Sequence, residues 1–228
     1  GEKKMNLLKT TLIIFSESLF SLRKKFGRFL GLFLLSIMFI VVFEVAYEPS
    51  PKDLVNFLPG LIWVTSILSS SIGILKIWDD EENESLLDFL KSSSLDRGGI
   101  VLGKSLWGAF LCFLITIATL LMTFFFFDYS LTIEQVVFLL IVIIFSSIAF
   151  GFLGGIFGAL SLGLNFRNIL LPLFLYPLAV PILMSSINIT KDIIADGLLV
   201  GNWFYILFVY SFVQFLLVFG LGEKALDS

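Results

Sequence analysis

Long apolar stretches separated by short polar ones dominate the chain. Six are long enough to cross a hydrocarbon core about 30 Å thick, which takes about 20 helical residues. They are Phe29–Ala46, Leu58–Ile77, Ile100–Phe127, Val136–Leu160, Ile169–Ile187 and Leu198–Phe219. Each run is continuous rather than alternating, which predicts helices and not the strands of a membrane barrel. The third is overlong, so a tilt or a non-spanning first turn is expected. Ahead of the spans lies a different pattern. In "MNLLKTTLIIFSESLFSLRKKFGR", Met5, Leu8, Leu12, Phe15, Leu19 and Leu22 recur at helical spacing, while Asn6, Lys9, Ser16, Glu17 and Ser21 fall elsewhere. Residues 5–28 therefore predict an amphipathic helix lying in the membrane interface, followed by a basic anchor. Such a helix either only anchors or serves as an elbow that moves against a cytoplasmic partner. The fold class expected is all-α integral membrane, with residues 1–228 forming one six-span domain.

Composition strengthens this reading. The hydrophobic fraction is 58 % and the charged fraction 14 %, with a mean hydropathy of +1.02; soluble domains hold about 45–50 % apolar and about 25 % charged residues. A core built from 228 residues cannot hide that excess. The net charge of −3 offers nothing to nucleic acid. A single cysteine, Cys112, sits in an apolar run and excludes an intramolecular disulfide framework. Histidine is absent, which removes the commonest metal ligand and general base. Gly1 stands where a Met is usual, so Met5 is the expected native start, and no cleavable signal peptide precedes the first span.

Charge then orients the spans. Of the 15 basic residues, all but Lys52 and Lys191 fall on the side shared by the N-terminus, the 76–104 segment, the 161–168 segment and the C-terminus. The positive-inside rule makes that side, and both termini, cytoplasmic. Orientation also decides a motif. "GGIVLGKS", Gly98–Ser105, matches a phosphate-binding loop letter for letter, and Asp128 after "FFFF" resembles a magnesium-binding aspartate. Lys104 opens the third span and Asp128 closes it, about 36 Å away at about 1.5 Å per helical residue. The two face opposite sides of the membrane, so the match is accidental. Gly98 and Gly99 are expected to form a turn, with Lys104 reaching to the inner headgroups.

Four further stretches draw interest. "IWDDEENESLLDFLKSSSLDRGG" is the one sizeable cytoplasmic loop, residues 78–99. Its acidic run Asp79, Asp80, Glu81, Glu82 and Glu84 leads to Ser85 and Asp88 at capping-box spacing, before Leu86, Leu87, Phe89 and Leu90. An apolar face at Leu86, Phe89 and Leu90 would otherwise be wet, which favours docking into a groove of a partner over a solvated acidic loop. "GFLGGIFGALSLG" sets Gly151, Gly154, Gly155 and Gly158 in small-xxx-small pairs, the pattern of close helix packing in lipid. "LPLFLYPLAVPIL" places Pro172, Pro177 and Pro181 in one span, which predicts a kinked helix: either a broken helix at a transport path or hinge, or ordinary kinked packing. Pro59-Gly60 plays a similar part at the outer end of span two. Asn188-Ile189-Thr190 is a glycosylation sequon expected on the outer side. Glu44 is assigned to the interface. No pairing of acid, base, nucleophile or metal ligands emerges, so the chain is not expected to be an enzyme.

Residues Leu58–Lys104 and Gly151–Leu183 together resemble the haem exporter protein B (CcmB) family. The likeness lies in a Pro-Gly followed by an apolar-Trp-Val stretch, then Leu-Ser-Ser, an acidic Asp-Asp leading to a leucine-rich helix, and an apolar-Lys opening span three. The glycine-rich span, short basic loop and proline-rich span form the second block. After the leucine-rich helix this chain reads "SSSLDRGG", departing from the family's common Leu-Pro. The resemblance implies an ABC-2-type permease fold with an interfacial helix, six spans and a cytoplasmic coupling helix that docks the ATPase. Carried onto this chain, that helix includes Asp79, Asp80, Ser85, Leu86 and Leu90. The implied partners are two soluble ABC ATPase subunits, a second copy of the chain, a Trp-rich haem-handling membrane subunit, a small single-span subunit and a periplasmic haem chaperone. The implied role lies in cytochrome c maturation, where ATP hydrolysed by a partner drives release of the haem-loaded chaperone; the implied site is the bacterial inner membrane. The alternative is an ABC-2-type permease exporting another lipid, glycan or drug-like substrate. Haem iron is held by His, Cys, Met or Tyr, and a chain without histidine is expected to bind no cofactor itself and to leave haem to the wider complex.

Overall fold

The computed structural model describes residues 6–24, 26–46, 51–79, 95–162, 167–197, 199 and 201–226. Among these residues there are seven helices and no strand: α1 (Leu7–Lys24), α2 (Phe26–Ala46), α3 (Pro51–Leu75), α4 (Arg97–Phe126), α5 (Ile133–Leu160), α6 (Arg167–Asp196) and α7 (Asn202–Ala225). The six after α1 are long and apolar enough to cross a membrane. Several run past the limits the hydropathy set. α3 begins at Pro51, so Pro59 lies inside it rather than at its end. α6 continues to Asp196 and stops at Gly197, whose positive φ of 68° and N–H bond to the Ile193 carbonyl (3.0 Å) close the helix. Lys191 and Asp192 are therefore helical residues, not loop residues.

Helix α4 is the central post, packed against α1, α2, α3, α5 and α7. Burial differs from span to span. In the span of α3, 72 % of residues are buried, but only 17 % in α2 and 22 % in α7. The exposed side chains of α7, such as Tyr205, Phe208, Val209, Phe212 and Leu216, are apolar, which suits a surface whose solvent is lipid. Lipid offers helices no hydrophobic reason to associate, so close packing and interhelical hydrogen bonds hold them together. Three such bonds are clear: Trp63 Nε1 to Thr190 Oγ1 (2.8 Å) joins α3 to α6, Ser146 to Ser186 (2.6 Å) joins α5 to α6, and Ser211 Oγ to the Phe145 carbonyl (3.0 Å) joins α7 to α5.

A helix is present over Leu7–Lys24 as α1, and α2 already starts at Phe26, so Arg28 of the basic anchor belongs to the helix that carries the first span, Phe29–Ala46. The orientation of α1 is informative. Leu8, Leu12 and Leu19 of the predicted apolar stripe are exposed, while Thr10, Thr11, Ile14 and Ser18 are buried against the bundle. Most of the apolar stripe is left for lipid, with Phe15 turned onto Trp107, and the face carrying Thr10, Thr11 and Ser18 is used for protein contact.

The expected turn at Gly98 and Gly99 is corrected: both lie in the first turn of α4, capped by Asp96, whose Oδ1 accepts from Gly99 N at 2.7 Å. They are glycines for another reason. A Cβ on Gly99 would lie 2.8 Å from the Leu7 carbonyl and from Thr10 Cβ, and one on Gly103 2.8 Å from Ile14 Cβ. The letters that mimic a phosphate loop form the bed on which α1 rests. Thr11 Oγ1 donates to the Gly99 carbonyl (3.3 Å) and secures it.

Candidate functional site

The candidate site is the loop between α3 and α4 together with whatever holds its two ends. Of the sequence-assigned docking residues, Asp79 is the last described residue before the loop and is exposed. Asp80, Glu81, Glu84, Ser85, Leu86, Phe89 and Leu90 lie outside the described residues. The loop itself is shorter than 78–99, because α4 takes over at Arg97.

At the first end, α3 stops at Leu75 and residues 76–78 turn. Trp78 then folds back into the bundle and is wholly buried. Its indole Nε1 donates to the Gly155 carbonyl at 3.1 Å. A Cβ on Gly158 would strike the Trp78 ring, at 2.8 Å from Nε1. Lys104 of α4 braces the same turn: its Nζ donates to the Ile77 carbonyl (3.2 Å) and lies 5.7 Å from the centre of the Trp78 ring. Beyond the expected reach toward the headgroups, the Lys104 ammonium is thus also held by this carbonyl and indole.

The glycine stripe explains how Trp78 fits. On α5, Gly151 meets the backbone of Gly108 and Ala109, Gly155 meets Ser105, Gly154 meets Ile74 and Gly158 meets Trp78. Two of the four bring α4 to backbone contact, and the other two seat the end of α3 and the turn after it. Any side chain on this face would separate α5 from one neighbour or the other.

At the second end, the Asp96 N–H donates to Thr10 Oγ1 of α1 at 3.2 Å. The loop therefore leaves the bundle from α5 and returns to it on α1, with both junctions buried or half-buried. No sequence pattern announced either contact. The carbonyl that Trp78 reaches lies 77 residues away in the chain.

The other singled-out residues lie elsewhere. Pro172, Pro177 and Pro181 are all inside α6, which is helical from Arg167 to Asp196. Tyr210 Oη donates to the Leu178 carbonyl (2.7 Å), next to the carbonyl that Pro181 frees. The sequon is helical, and Thr190 is fully buried as the acceptor of Trp63, so its hydroxyl has a structural partner. Among the described residues, no three His, Cys, Asp or Glu side chains form a group able to hold a metal ion.

Seven helices, six of them membrane-crossing in length and apolarity, with one anchored loop, define a multi-pass α-helical membrane protein. The family model described as "CcmB protein" matches residues 9–223, and the chain belongs to that family. Among curated proteins, heme exporter protein B of Haemophilus influenzae is 26 % identical over 160 residues, covering 68 % of this chain and 69 % of that protein. Heme exporter protein B of Escherichia coli K12 is 29 % identical over 68 residues, covering 30 % of this chain and 31 % of that protein.

Proposed function

We propose that the chain is the membrane permease subunit of an ABC-type haem-export complex serving cytochrome c maturation. Its loop docks a soluble ATPase on the cytoplasmic side, where both termini also lie. Two ATPase subunits and a second copy of the chain complete the transporter core. A Trp-rich haem-handling subunit, a small single-span subunit and a periplasmic haem chaperone work with it. ATP is hydrolysed by the partner, and this chain converts the partner's movement into rearrangement of its helices.

The observation that carries this reading is the double anchorage of the loop, through Trp78 on Gly155 and through Asp96 on Thr10. A loop that merely joined two spans would have no use for a buried indole at one end and a bond to a separate helix at the other. Family membership and the similarity to heme exporter protein B support haem as the cargo. In this reading iron ligation is assigned to partners, which the lack of histidine in the sequence supports.

Leu86→Asp and Leu90→Asp test the docking. A charge in an apolar groove lacks a partner there, so each variant, still inserted in the membrane, is expected to lose the ATPase subunit on mild-detergent purification. Undiminished co-purification by both variants overturns the reading.

A further inference from the structure

A cavity of about 160 Å³ opens between α1, α2, the end of α3 and α4. Its wall includes Ser18 and Ser21 of α1, Phe29 of α2, Lys76 after α3, and Lys104 and Trp107 of α4. We propose that this cavity holds the phosphate headgroup of an anionic phospholipid, with Lys76 and Lys104 as its cationic wall and the acyl chains lying outside along the exposed Ile72. The site is independent of what the loop docks.

Three observations point to that occupant. The first is depth. Lys104 stands 22 residues before Phe126, the last residue of α4, which is about 33 Å at about 1.5 Å per residue, so the two bracket a core about 30 Å thick and Lys104 lies at headgroup level. The second is size. Small-molecule pockets occupy about 300–1,000 Å³; this cavity takes a phosphate group but not a flat macrocycle. The third is charge. Ser21 of α1 and Phe29 of α2 share the wall with two lysines, Lys76 and Lys104. The cleft therefore carries two positive charges drawn from separate parts of the chain, and a negatively charged lipid surface attracts such a pair.

The edge of the cleft is built rather than incidental. Trp107 makes edge-on contacts with Phe15 of α1 (6.4 Å) and Phe29 of α2 (5.9 Å), which holds the two helices apart at its floor. The Lys104 bond to the Ile77 carbonyl fixes that ammonium on the wall, and the Ser21 hydroxyl donates to the Ser18 carbonyl (2.7 Å) at the opposite side. A bound headgroup would touch α1, α3 and α4 at once.

The test is native mass spectrometry of the full chain released from mild detergent, titrated separately with phosphatidylglycerol, phosphatidylcholine and inorganic phosphate. The unmodified chain should retain phosphatidylglycerol. Each lysine near a lipid surface is worth about fivefold in affinity, so Lys76→Gln/Lys104→Gln should bind it about 25-fold more weakly. Lys191→Gln, which removes a charge at the other end of the bundle, should bind it unchanged. If the double variant does not fold, Lys76→Gln alone, at an exposed position, should show the fivefold loss. Equal retention by the lysine variants overturns the proposal. Equal retention of phosphatidylcholine, or saturation by inorganic phosphate alone, overturns the assignment to an anionic lipid.

Discussion

Two tryptophans serve one stretch of the chain in different ways. Trp63 lies inside α3 and Trp78 in the turn that follows it; both are buried, and both donate an indole N–H to another helix. Trp63 reaches a side chain, the hydroxyl of Thr190 on α6. Trp78 reaches a main-chain carbonyl, that of Gly155 on α5, across a face cleared of side chains. A bond between two side chains can be lost and the helices still pack. A bond that needs bare backbone is tied to the approach of the helices themselves. The loop is anchored at the junction where the fold tolerates least change.

The strongest way to break this contrast is to put bulk on the glycine face. Gly151→Leu sets a side chain where the Gly108–Ala109 backbone runs, so α4 and α5 must part. The expected cost is more than about 3 kcal/mol, beyond ordinary overpacking, read as loss of the monodisperse peak in detergent. A wild-type melting curve would contradict the close approach.

Next in size is the Trp78 contact. Gly158→Val and Trp78→Phe should each destabilise by about 1–3 kcal/mol, the first by displacing the indole and the second by removing its N–H. Because both act through one contact, the double variant should cost less than the two single costs combined. Simple additivity in thermal unfolding would show that Trp78 and Gly158 are not coupled.

The smallest effect belongs to the other tryptophan. A double-mutant cycle of Trp63→Phe and Thr190→Val should return a coupling of about 0.6 kcal/mol, and at most about 1.7, as for other hydrogen bonds between helices in lipid. A coupling larger than that of Trp78 with Gly158 would reverse the comparison.

How far the sequence was legible depended on the solvent of each residue. The six spans could be read because a lipid-exposed helix must present apolar residues over its whole length. Their ends were less clear: α6 runs on to Asp196, where polar residues Asn188, Thr190 and Lys191 hide its last turns. The stripe Gly151, Gly154, Gly155 and Gly158 announces close packing, but spacing within one helix cannot name its partners. Likewise, Gly98, Gly99 and Gly103 fit a turn, a phosphate loop or a helix bed equally well as letters. Only the presence of Leu7, Thr10 and Ile14 against them decides which.

The sequence by itself determined that this is a membrane protein, how many times it can cross, and which side carries the basic residues. Those properties are set by the exchange of each residue between water and lipid, which depends on local composition. The tertiary structure alone decided that α1 turns its hydroxyl face inward, that Trp78 locks onto Gly155, and that Lys76 and Lys104 share a cleft. Those depend on which helices lie side by side, and backbone contact between residues far apart in the chain leaves no periodic trace along it.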